Sequence, residues 1–160
     1  EMMPGAMENV ATGLARRESA IEDFRVGNFW AWHIKEDTEI SMYEARRELI
    51  WRAAVVAKYA HDIRPHVDDD DEAQLVIDHW DDFFKAFWTR NGKIENVPED
   101  IVNKLISGMS SAGNLDNIDQ EIERFKQFEQ SGLSELSIRL FDDPAAGLKL
   151  IGDHVVPAFR

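Results

Sequence analysis

The 160-residue sequence predicts a helix-rich α/β chain that forms part of a larger parallel barrel. Three observations predict this. Val26 to Ile34, VGNFWAWHI, is a run of aromatic and β-branched residues with no helical period, which is the composition of a buried strand. Gln127 to Arg160 reads as a helix end, a glycine stop, a second strand over Leu133 to Phe141, an Asp-Pro turn and a closing amphipathic helix; that is one βα step. Finally, the two strands lie far apart in sequence and are too few to stand alone. A parallel strand needs neighbours, and a closed barrel of eight strands takes about 250 residues.

Taken in order, the first element is a helix from Pro4 to Arg17. Pro4 suits a first turn, and Met7, Val10, Ala11 and Leu14 share one face. Ser19 to Phe24 is a connector. After the first strand, Lys35 to Thr38 is polar and ends it. A long helix then runs to about His61, stopping before Pro65. Ser41 and Glu44 have capping-box spacing, with Asp37 and Thr38 as competing caps, and Leu49, Ile50, Ala53, Val56, Ala57 and Ala60 form its apolar stripe.

His66 to Glu72, HVDDDDE, is a charged turn in which Asp70 or Asp71 caps the next helix, Ala73 to Thr89. That helix is dense in Trp80, Phe83, Phe84, Phe87 and Trp88, and Asn91-Gly92 stops it. Pro98 opens a further helix with Ile101, Leu105 and Ile106 inward. Asp116 or Asn117 caps the helix Ile118 to Gln130, which ends at Ser131-Gly132. The last helix runs from Ala145 to about Phe159, and Pro157 should fray or kink its end. The chain reads as a single domain, 1–160, in which residues 62–112 form a helical insertion before the last βα unit.

Composition narrows the partners. The net charge of −13, from 18 Lys and Arg against 31 Asp and Glu, argues against nucleic acid and against anionic membrane surfaces. The same charge serves solubility. No apolar run approaches the roughly 18 residues of a membrane span. No secretory leader is visible, so the cytoplasm is the expected location. With no cysteine, disulfides, thiolate metal sites and cysteine nucleophiles are excluded. A start on Glu1 reads as a cut from something longer. The pattern contains no nucleophile elbow, phosphate-binding loop or dinucleotide fingerprint.

Several stretches together resemble the C-terminal end of the bacterial luciferase-like flavin monooxygenase superfamily, which includes deazaflavin-dependent reductases. They are IERFKQFEQSG, LSELSIRL, FDDPAAGLKLIG and HVVPAFR, with MPGAMENVATGLARR and DTEISMYEARREL earlier. The resemblance implies a (β/α)8 TIM barrel of which this chain holds the last two strands and the helical insertion. It implies an oxidoreductase using FMN or the deazaflavin coenzyme F420, and a small-molecule substrate. It further implies a homo-oligomer contact or a companion barrel half. The family's earlier strands and flavin-phosphate loop are not in these residues, so the chain alone is expected to be inactive.

Active sites of such barrels sit at the C-terminal ends of strands. Trp30 and Trp32 share one face of the first strand and His33 lies on the other. The sequence does not say which face points into the barrel. Facing inward, Trp30 and Trp32 would stack on a flavin; otherwise they fill the core. His33 is the candidate catalytic residue, able to polarise a carbonyl or accept a proton, or else it is an ordinary strand-end histidine. Arg139 is the candidate for binding a cofactor phosphate or a carboxylate, or else it pairs with Asp142 or Asp143. The cluster of His61, His66 and Asp68 to Asp71 lacks the spacing of a calcium loop or a zinc helix and reads as a solvated loop rather than a metal site. The aromatic helix reads as core, or as a subunit interface or lid. Two rivals to the barrel reading are a non-catalytic helical interaction module and a small helical bundle.

Overall fold

The computed structural model describes residues 2–18, 24–49 and 63–160. Its elements are α1 (Met2–Ala15), β1 (Gly27–Trp32), α2 (Thr38–Glu48), α3 (Asp70–Asp78), α4 (Trp80–Thr89), α5 (Glu99–Met109), α6 (Ile118–Gln130), β2 (Glu135–Leu140) and α7 (Pro144–Leu150). The chain is therefore helix-rich with one small sheet. The stripe residues Ile50, Ala53, Val56, Ala57 and Ala60, together with His61 and most of the Ser19 to Phe24 connector, lie outside the described residues.

The two strands predicted from the aromatic and apolar runs both form, and they are direct neighbours. They pair in parallel, with Gly27 opposite Glu135 and Trp32 opposite Leu140. A short stretch after α5 lies along the other edge of β1. Ser111 N–H donates to the Ala31 carbonyl at 3.0 Å and His33 N–H donates to the Ser111 carbonyl at 2.7 Å. The outer edge of β2 has no strand partner among the described residues, and Phe29 on β1 is 76% exposed.

Strand alternation sorts the side chains into two layers. Trp30, Trp32, Leu136, Ile138 and Leu140 pack against Ile118, Ile122, Phe125 and Phe128 of α6 and against Ile151 and Val155 after α7. A second core joins α2, α3, α4 and α5 through Ala45, Leu49, Val76, Phe83, Leu105 and Ile106. Each large apolar side chain fully buried in these cores contributes about 1.5–3 kcal/mol.

Local chemistry sets the helix ends, and several differ from the expectation. Asp37 caps α2, accepting from Ile40 N–H at 3.0 Å. Ser41 and Glu44 form no capping box, because both are buried and engaged in tertiary bonds: the Ser41 hydroxyl oxygen accepts Gly113 N–H at 2.8 Å. Asp69, rather than Asp70 or Asp71, caps α3 through Glu72 N–H at 2.9 Å. Its neighbours pair outward, Asp68 with Lys104 at 2.6 Å and Asp70 with Arg64 at 2.9 Å. Asn114 caps a 3-10 turn, Leu115–Asn117, that leads into α6; Asn117 takes the N-cap position of α6, but its side chain makes no capping bond to that helix.

The aromatic helix expected over Ala73 to Thr89 is two helices, α3 and α4, parted at His79. At the break His79 N–H still donates to the Leu75 carbonyl at 3.1 Å, but Asp82 N–H turns back to the His79 carbonyl at 2.9 Å, a tighter three-residue step that interrupts the helical ladder. The final helix is likewise shorter than expected. After α7 the backbone widens into a π turn over Ile151–Val155 and then tightens to 3-10 over Val156–Phe159. Pro157 has no N–H to continue the ladder, and its ring would press on the preceding turn. Gly132 ends α6 in the left-handed region, φ 96°, as the Ser131-Gly132 stop predicts.

Candidate functional site at the strand ends

Because β1 and β2 are parallel and paired residue for residue, their C-terminal ends open on the same side. The residues that follow them, His33 and Lys35 after β1 and Phe141 and Asp142 after β2, meet one face of α2 there. Glu44 is the hub. It is 1% exposed, its Oε1 shares a 2.9 Å hydrogen bond with His33 Nδ1, and its Oε2 lies 2.9 Å from Lys35 Nζ.

One turn along α2, Arg47 donates to Asp142 Oδ1 at 2.6 Å and to Glu48 Oε1 at 3.2 Å. Arg90, at the end of α4, pairs with Glu48 at 2.7 Å. The Arg47 hydrogen bond holds the Asp142 carboxyl below its ordinary value of 3.8, against the opposing effect of its partial burial. Burial works against the Arg47 charge, but its bonds to Asp142 and Glu48 outweigh that and raise its pKa. Asp142 also sits at φ 37°, in the left-handed region, a local strain of the kind found where a site over-determines the backbone.

His33 is 2% exposed and its ring stacks on Phe141 at 4.7 Å and 18°. The Arg139 guanidinium lies over the same Phe141 ring at 4.8 Å. His33, Glu48, Ser110, Arg139 and Phe141 border a cavity of about 30 Å³. Beside it, a wider cleft of about 470 Å³ is bordered by Trp32, Ile34, Lys35, Leu140, Phe141 and His154.

Of the four residues singled out from the sequence, His33 and Arg139 are brought together through Phe141. Trp30 and Trp32 are not placed as stacking plates on that face. They lie in the opposite, helix-facing layer, Trp30 edge-on to Phe128 at 5.1 Å and Trp32 tilted on Phe125 at 6.2 Å. Strand alternation forces this separation, since a face that satisfies α6 cannot also hold His33. Trp32 only borders the wider cleft, and its buried indole N–H has no acceptor among the described residues.

A second polar network lies under the sheet. Trp30 Nε1 donates to the Ser111 hydroxyl at 2.7 Å, and that hydroxyl donates to Glu121 Oε2 at 2.5 Å. Arg124 reaches Glu121 at 3.1 Å and the Ser110 and Ser107 carbonyls at 3.0 and 2.8 Å. Burial raises the Glu121 pKa above its ordinary 4.5, although Ser111 and Arg124 pull the other way.

The sequence reading missed Glu44, Arg47, Asp142 and Glu121 as site residues. A signal existed for the first. Glu44 and Glu48 fall four apart, beside Ala45 and Leu49, so a helical wheel sets two acids against the apolar stripe.

The fold and site define a helix-rich α/β chain with a small parallel sheet and a buried ionic cluster at its strand ends. Among the described residues, no helix is long and apolar enough to cross a membrane. Comparison with protein-family models, curated proteins and solved structures gives no significant match.

Proposed function

We propose that the chain is the C-terminal portion of a luciferase-like (β/α)8 barrel oxidoreductase that uses FMN or coenzyme F420. The observation that carries this reading is the parallel, residue-for-residue pairing of β1 with β2, whose outer margin has no partner among the described residues. Adjacent parallel strands joined by a long helical crossover are the repeating unit of such a barrel. An open strand edge presents unpaired backbone groups on which a further strand can pair.

In this reading the bound cofactor supplies the hydride chemistry. The chain's own residues do the positioning. Glu44 fixes the His33 ring at the strand end, where it borders the small cavity and would serve a group entering there as a proton acceptor or a hydrogen-bond donor. Arg139 offers a guanidinium to an anionic group. The fit to a flavin is partial, because the stacking surface is not provided by Trp30 and Trp32.

The test is the native protein purified from its source cells, with its mass and its released chromophore measured after denaturation. A species about twice this chain's length that releases a flavin or deazaflavin is expected. A 160-residue product that releases neither would overturn the reading.

A second reading, a helical interaction module, is favoured by one observation. Trp80, Phe84 and Trp88 form a continuous run of ring contacts along α4, and Trp88 is 69% exposed. In the barrel reading the same strip serves as an oligomer contact. Light scattering over a dilution series tests the self-contact: a chain that stays monomeric at every concentration counts against self-association through α4.

A further inference from the structure

Around the strand ends, the neighbouring cations already hold acids. Lys35 sits on Glu44, Arg47 on Asp142 and Glu48, Arg90 on Glu48, and Lys149 on Asp153. Arg139 differs. It is exposed, and it forms no ion pair among the described residues, although the chain carries 31 acids to 18 Lys and Arg. The two acids nearest in sequence are committed elsewhere. Asp142 accepts from Arg47 at 2.6 Å, and Asp143 caps α7 through Ala146 N–H at 3.1 Å. Glu48, which borders the same cavity, already serves two arginines.

The position of the guanidinium is nevertheless built. It rests on Phe141, Phe141 rests on His33, His33 is bonded to Glu44, and Glu44 is paired with Lys35. A stack of this kind holds the cation's place while leaving its N–H edge for a ligand. The adjoining cavity of about 30 Å³ admits a single small group and no ring. Arginine's planar fork of donors matches a carboxylate or phosphate with two parallel hydrogen bonds.

We propose that Arg139 is an oxyanion-binding residue that takes the carboxylate or phosphate of a small ligand at the C-terminal end of β2. The site rests on the preceding reading only for the identity of the ligand that bears the anion.

The experiment follows the Arg139 Nε–Hε resonance of the whole chain by two-dimensional NMR, assigned by its loss in Arg139→Lys. The probes are inorganic phosphate, acetate, FMN and riboflavin. Phosphate or acetate should shift that resonance saturably while those of Arg25 and Arg47, already paired, stay in place. Arg139→Gln should weaken anion binding at least tenfold and leave the rest of the spectrum unchanged. If the anion is the cofactor's, FMN binds at least tenfold tighter than riboflavin, and Arg139→Gln removes that preference. If it is a substrate's, acetate outcompetes phosphate and FMN gains nothing over riboflavin. That second result keeps the site and counts against the flavin reading, so the two ideas fail separately. The proposal is overturned if neither anion gives a saturable Arg139 shift, or if Arg16 and Arg17 shift in parallel with it.

Discussion

Removing the Glu44 carboxylate is expected to cost about 3 kcal/mol, because His33 loses its hydrogen-bond partner and Lys35 its counter-charge inside the protein. The figure follows from the geometry. Glu44 is 1% exposed, and its bond to His33 joins two side chains that water barely reaches. A hydrogen bond to a charged group contributes about 1.5–3 kcal/mol, and its full loss is felt where neither partner reaches water. Lys35 adds less, since its side chain is 23% exposed and recovers hydration when the acid is gone. Glu44→Ala therefore falls near the low end of the roughly 3–5 kcal/mol seen when one partner of a buried pair is removed. Glu44→Gln keeps the shape and an acceptor for His33, and should cost only about 1 kcal/mol. Urea unfolding at 25 °C reads both. With a slope of about 2 kcal/mol per molar, Glu44→Ala should lower the midpoint by about 1.5 M. If Glu44→Ala costs less than about 1 kcal/mol, the pair behaves like a surface ion pair and the hub does not exist.

Further outcomes follow from the same structure. Glu121 binds its proton more tightly folded than unfolded, so stability should fall as pH rises from 4.5 through its raised folded pKa; Glu121→Gln should flatten that segment of a midpoint-against-pH curve. Asp142 has the opposite sign: its lowered pKa contributes stability above 3.8 that disappears as pH falls through the folded value, and Arg47→Met should remove that part of the acid limb. Gly113→Ala should destabilise by about 1–3 kcal/mol, since φ is 119° and a Cβ there would meet Asn117 Oδ1 at 2.1 Å; thermal melting checks it. Trp88→Ser, at a 69% exposed position, should leave the urea midpoint within about 0.5 kcal/mol of the native chain while weakening any self-association seen by light scattering.

Much of the secondary structure was legible because it is written in local terms. VGNFWAWHI has no helical period and is rich in strand formers, so β1 appeared where the composition placed it, shorter by a few residues at its ends. Ser131-Gly132 stopped α6 because only glycine takes φ 96° at little cost. The caps were harder to place. Four successive aspartates offer four competing caps, and Lys104 and Arg64, from outside the run, fix the outcome by engaging Asp68 and Asp70. Ser41 and Glu44 had the right spacing for a capping box but were drawn into hydrogen bonds with Gly113 and His33 and an ion pair with Lys35.

By itself, the sequence determined both strands and where most of the described helices begin, that no thiol chemistry is available, and that His33 and Arg139 fall at strand ends. Propensity, glycine stops and strand alternation act over a few residues, so neighbours in the chain suffice to fix them. Tertiary structure decided the rest: which face of β1 meets α6, that β1 and β2 lie side by side, and that Glu44 joins His33 to Lys35 across a turn. Those outcomes depend on burying one apolar layer and on satisfying each charge taken out of water. They are set by partners from all along the chain, whose meeting no local pattern encodes.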